Sequence, residues 1–113
     1  MNVESENELS THIKCGASWE GFALEQVIRH REARPEECYF WGGHEQGEVD
    51  LLIQGKKEQE AFEFKYSSAP ELTKLMQLAV NTLPIKSLTV VAPVEAEFPL
   101  SENVIVKPIR SFS

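Results

Sequence analysis

The sequence predicts a single α/β domain with a mixed central sheet flanked by two helices, in the order α-β-β-β-α-β-β. Three observations lead there. Apolar residues recur at helical spacing in two places, Ala23, Leu24, Val27 and Ile28, then Leu72, Leu75, Met76, Ala79 and Val80. Between them, two apolar runs flank the short polar stretch Gln54-Gly55-Lys56-Lys57-Glu58-Gln59, which suits a hairpin loop. After the second helix, Leu88-Thr89-Val90-Val91-Ala92 is almost wholly apolar, as a strand covered on both faces must be.

The elements follow in order. Residues 1–14 are expected to be flexible, since Glu4 to Glu8 are all polar or acidic. A single domain is expected over 15–110. Ser18 is a candidate cap for a helix from about Trp19 to Arg31. Extending the apolar stripe backward lands on Glu20, which therefore lies in line with the buried face, while Glu25 points elsewhere. Arg34-Pro35-Glu36-Glu37 breaks the chain, and Cys38 to Trp41 is a short apolar strand stopped by Gly42-Gly43. Strands over 47–54 and 59–66 form the hairpin. Ser68-Ala69-Pro70-Glu71 has a capping-box pattern with an early proline, opening a helix over 70–81. Pro93 to Pro99 reads as a loop. Val104-Ile105-Val106 is a last strand, placed at a sheet edge, with Pro108 closing it.

Composition narrows the function. With 113 residues, there is room for one modest core. No run approaches the roughly 20 apolar residues that span a bilayer. The polar, acidic N-terminus lacks the features of a signal or transit peptide. Cys15 and Cys38 have neither metal-ligand nor redox-motif spacing, and read as free thiols in a reducing compartment. A cytoplasmic protein is expected. The net charge of −7 opposes a simple phosphate-gripping surface. Arg29, His30, Arg31 and Arg34 form one basic group and Lys56-Lys57 another, both read as solvated helix and turn residues.

The chemistry centres on Asp50, the single aspartate among 18 acidic residues. A symmetric hairpin pairs residues whose numbers add to 113, which sets Asp50 opposite Glu63. Directly opposed side chains have Cβ atoms about 5 Å apart. Two carboxylates that close repel unless a proton or cation lies between them. Strand alternation puts Lys65 beside Glu63, and puts Val49, Leu51, Ile53, Phe62, Phe64 and Tyr66 on the other, core-facing side. Glu20 is expected to reach the charged face from its helix. A hard cation such as Mg²⁺ (or Mn²⁺) accepts oxygen ligands of this kind, here Asp50, Glu63, Glu20 and the Phe64 carbonyl. Lys65 would orient an attacking water or offset charge on a phosphate. The parts suit metal-assisted phosphodiester hydrolysis.

Glu20, Asp50 and Glu63-Phe64-Lys65, in this order of elements, resemble the PD-(D/E)XK nuclease superfamily, the restriction-endonuclease-like fold. The resemblance implies Glu20, Asp50, Glu63 and Lys65 as catalytic residues, and DNA as substrate. Gly16-Ala17-Ser18-Trp19-Glu20 is similar to the helix opening of archaeal Holliday-junction resolvases. The stretch from Gly16 to Ile28, the Tyr-Phe-Trp strand, Glu48-Val49-Asp50-Leu51-Leu52 and Glu63-Phe64-Lys65 are together closest to a domain of unknown function at the C-terminal end of prokaryotic AAA-type ATPases. That similarity covers about residues 12 to 109 and implies an ATPase module as partner. The chain has no phosphate-binding Gly-x-x-x-x-Gly-Lys loop of its own. The alternative reading is a catalytically inactive module that binds DNA or an ATPase partner. Gln77 is followed by Asn81, so the superfamily's auxiliary Gln-to-Tyr motif is incomplete. His12, His30 and His44 are too scattered for a metal site, and Trp19 and Trp41 are expected in the core.

Overall fold

A computed structural model describes residues 18–40, 49–55, 59–82 and 85–113. Helix α1 comprises residues 18–31. The 3₁₀ turn Pro35–Glu37 leads into β1 (Cys38–Phe40), followed by β2 (Leu51–Gln54), β3 (Gln59–Phe64), α2 (Lys74–Thr82), β4 (Leu88–Ala92), β5 (Phe98–Ser101), β6 (Val104–Pro108) and a 3₁₀ turn, Ile109–Phe112. The strands form one mixed sheet in the order β1-β2-β3-β4-β6-β5. β3, β4 and β6 run parallel, and the outer pairings β1–β2, β2–β3 and β5–β6 are antiparallel. The parallel step from β3 to β4 uses α2 as its crossover, as parallel neighbours require.

Two cores lie on opposite faces of this sheet. Ala23 and Val27 of α1 pack with Leu51, Ile53, Phe62, Phe64, Val91 and Phe112. Met76, Ala79 and Val80 of α2 pack with Leu52, Ala61, Leu88, Val90, Val104 and Val106. The alternation in each strand is therefore a division between two buried faces. The expected split into one core face and one solvent-facing charged face does not hold, because α2 covers the second face.

Several elements depart from expectation. Phe98–Ser101 is a strand, although it falls partly in the segment read as a loop. Its Pro99 is tolerated because β5 is an edge strand, with β6 as its one sheet neighbour. It follows that Val104–Pro108 is an inner strand, and that Pro108, paired with Ala92, belongs to it. Helix α2 starts at Lys74, not at residue 70. Its cap is Thr73, whose Oγ1 accepts the Met76 N–H at 3.1 Å. Thr73→Ala is expected to lower stability by about 1 kcal/mol, read from the urea midpoint. Ser18 is already helical, so it is not the α1 cap. The expectations for residues 1–14, Cys15, Trp41, Gly42-Gly43, His44, Glu48 and Lys56-Lys57 lie outside the described residues.

Candidate functional site

The hairpin register is the expected one: Leu51 pairs Phe62, Leu52 pairs Ala61, Ile53 pairs Glu60 and Gln54 pairs Gln59. The short loop forces this, since a one-residue slip would turn every apolar side chain to the wrong face. Asp50, however, leaves the ladder. Its backbone N–H donates to the Phe62 carbonyl at 2.9 Å, and its Oδ2 accepts the Phe64 N–H at 2.9 Å. The side chain thus does the work of a backbone carbonyl, reaching across the hairpin to the facing strand.

This bend redirects the site. Val49 joins the α2-side core with Leu52 instead of sharing a face with Leu51. The Asp50 carboxylate turns to the α1 side, where Glu20, Gly21, Leu24, Asp50 and Phe64 line a cavity of about 310 Å³. In an extended strand the N–H and C=O of one residue point to the same side. Because the Phe64 N–H meets Asp50, the Phe64 carbonyl also points toward the β2 side of β3, in the plane of the sheet.

Glu63 is placed differently. It pairs with Val90, a residue of the α2-side core, and is 2 % exposed. Paired residues share a face, so Glu63 lies on the α2 side of the sheet. It is not among the described residues that line the α1-side cavity. The expected set of Glu20, Asp50 and Glu63 on one charged face is thus divided by the sheet. The physical reason is that α1 covers the Leu51–Phe62–Phe64 face. Among the described residues, no three histidine, cysteine, aspartate or glutamate side chains converge as a metal-holding group.

Lys65 follows the end of β3, so strand alternation no longer dictates its direction. Its N–H donates to the Val91 carbonyl at 3.0 Å, and its ammonium lies within electrostatic reach of Glu20. Glu20 is exposed as a whole, yet its carboxyl holds its proton more tightly than an ordinary glutamate. Partial burial is the largest cause and the Asp50 charge the second, with Lys65 opposing both. The folded state therefore binds this proton better than the unfolded state. The resulting stabilisation is present below the unfolded pKa and is lost as pH rises through the folded one. Carboxyl-carbon NMR titration is expected to place Glu20 above the usual glutamate range. Asp50→Asn should move it down, and Lys65→Met should move it up.

Sequence reasoning missed two features. The Arg31 guanidinium meets both Glu60 carboxylate oxygens, each 3.1 Å from its Nε, and lies over the Phe62 and Phe112 rings at 5.9 and 5.3 Å. One member of the basic group is thereby absorbed into structure. Trp19 and Tyr66 form a tilted ring pair with centroids 5.8 Å apart. Trp19 sits at the margin of the α1-side core, half-buried, not at its centre. His30 is exposed and packs edge-on to Phe112. Cys38 is a half-buried free thiol, its pKa raised by burial and then by Glu37 and Glu36. Among the described residues, no helix is long and apolar enough to cross a membrane.

Comparison with known proteins adds lineage. The chain is similar to the uncharacterized proteins Mb2031c of Mycobacterium bovis and Rv2008c of Mycobacterium tuberculosis. Each is 33 % identical over 108 residues, covering 96 % of this chain and 24 % of the relative. The chain thus spans about a quarter of the length of these curated relatives. No solved structure matches it. The profile of DUF4143, described as a domain of unknown function, matches residues 15–112, and the chain belongs to that family.

Proposed function

We propose that this domain is a nuclease-like unit that hydrolyses DNA phosphodiester bonds with the help of Mg²⁺ or Mn²⁺, working at the α1–β2–β3 cavity. In this reading the αβββαβ portion is a restriction-endonuclease-like core, and the cytoplasm is its compartment. The observation that carries it is the meeting of Glu20, Asp50 and the Phe64 backbone at one cavity, with Lys65 in electrostatic reach of Glu20.

The donor set supports a hard cation in a reduced form. Glu20, Asp50 and the Phe64 carbonyl are all oxygen donors, and Mg²⁺ commonly takes one or two carboxylates and keeps several waters. Asp50 spends Oδ2 on Phe64 and retains Oδ1 for a ligand. Glu63 would contribute from beneath the sheet, by positioning β3. A bound divalent cation supplies a polarised phosphoryl oxygen and a water of lowered pKa. Lys65 offsets charge that builds on the phosphate, and Leu24 and Phe64 limit water on the cavity's inner wall.

A second reading has its own support. The net charge of −7 and the burial of Glu63 favour a catalytically silent module that binds DNA or an AAA-type ATPase partner. The relatives are long enough to carry such a module beside this domain. Cleavage of single-stranded, duplex and branched DNA with Mn²⁺ separates the two. Wild type is expected to cut, and Lys65→Ala to cut about 100-fold more slowly or worse. Equal cleavage by wild type, Lys65→Ala and Asp50→Asn would assign the activity to another site. DNA binding without cleavage would establish the silent module.

A further inference from the structure

Trp19 immediately precedes Glu20, and Tyr66 immediately follows Lys65. Glu20, which lines the cavity, and Lys65, within electrostatic reach of it, are thus each flanked by an aromatic ring, and the two rings pair with centroids 5.8 Å apart and planes inclined at 38°. Tyr66 remains 45 % exposed. Phe22, three residues along α1 and so on the same side of the helix as Trp19, is 57 % exposed. Tyr66 lies two residues beyond the cavity-lining Phe64, about 7 Å along an extended chain. A base and its own phosphate are separated on that scale.

We propose that Tyr66, braced by Trp19, is a stacking face for an unpaired nucleobase, so that the strand offered to the cavity is single-stranded DNA. This deepens the phosphodiester reading and rests on it. The charge balance points the same way. Duplex DNA is bound chiefly by neutralising phosphates with clustered basic residues, which a chain of net charge −7 does poorly. Base–aromatic stacking contributes about 1–3 kcal/mol per base and tolerates any sequence. It acts on the π-face of the base and not on the phosphate charge. Bases in a duplex are already stacked on one another and cannot offer that face. An exposed ring with a second ring behind it holds its orientation, which lowers the entropy lost on binding.

The test is fluorescence anisotropy with a short labelled oligothymidylate and with a duplex of equal length, in Ca²⁺ so that binding is read without turnover. Wild type is expected to prefer the single strand and to show a shallow salt dependence. Tyr66→Ala and Tyr66→Leu should each weaken single-strand binding about tenfold. Tyr66→Phe should retain it, because the ring face and not the hydroxyl does the stacking. Absence of binding, preference for the duplex, or Tyr66→Leu binding as tightly as wild type would each overturn the proposal. Urea midpoints of the variants separate loss of the ring from loss of the fold. Tyr66-dependent binding without any cleavage would remove the hydrolytic reading and leave this one standing. Duplex cleavage indifferent to Tyr66 would do the reverse.

Discussion

Asp50→Asn is expected, under the proposed hydrolytic function, to reduce metal-dependent cleavage by at least 100-fold while leaving the domain folded. The two roles of this side chain make the prediction sharp. Its Oδ2 accepts the Phe64 N–H at 2.9 Å, and an asparagine amide oxygen of nearly the same shape can take that bond. The negative charge facing Glu20 disappears, and with it one anionic oxygen for a cation. Losing one well-placed electrostatic contact to a reacting group costs about 100- to 1,000-fold in rate. Asp50→Ala separates the roles from the other direction. Phe64 is 3 % exposed, so its N–H would be left in the interior with no acceptor from residue 50. An orphaned buried donor costs about 1–3 kcal/mol. The alanine variant should therefore lose both cleavage and stability, and the asparagine variant cleavage alone. Rate assays with Mn²⁺ and urea unfolding of both proteins check this. An asparagine variant that cuts as fast as wild type would remove Asp50 from the chemistry.

Phe62→Ala should lower stability by about 3–5 kcal/mol, the usual range for deleting a buried phenyl ring. Phe62 has no exposed surface and is a central member of the α1-side core. It meets Phe112 edge-to-face, with centroids 5.9 Å apart and planes at 82°. That geometry adds to simple area burial. The Arg31 guanidinium caps the pair and is itself held by Glu60. The half-exposed Arg31–Glu60 bridge is worth only about 0–1 kcal/mol, so the ring and not the ion pair dominates. Domains are stable by about 5–15 kcal/mol in all, so a loss of this size removes a large share of the total. Urea titration followed by far-ultraviolet circular dichroism measures it. A loss below about 1 kcal/mol would contradict a tightly packed Phe62.

Much of the architecture was legible because it rests on short-range rules. The apolar spacing of Ala23, Leu24, Val27 and Ile28 identified the face of α1 that packs. The polar hairpin loop settled the pairing of β2 with β3, down to the partner of each residue. The Leu88–Ala92 run announced a central strand. What was missed has physical causes. Pro99 concealed β5, because a proline excludes an inner strand but not an edge one. Thr73 outcompeted Ser68 as the cap of α2, since its hydroxyl is the one placed to meet the Met76 N–H. Phe112 became core only because the turn after β6 carries it back beneath α1.

Sequence alone determined the α/β class, the apolar face of each helix, and the register in which β2 pairs β3. Only the folded chain decided which helix covers which face. A period of two says that Phe62 and Glu63 point opposite ways, but it is silent on which of them meets α1. Packing chose Phe62, so Glu63 went beneath α2. Asp50 rejoined Glu20 by leaving the ladder and bonding Phe64 with its side chain. That choice depended on a backbone donor fourteen residues away, a long-range contact that no local pattern encodes.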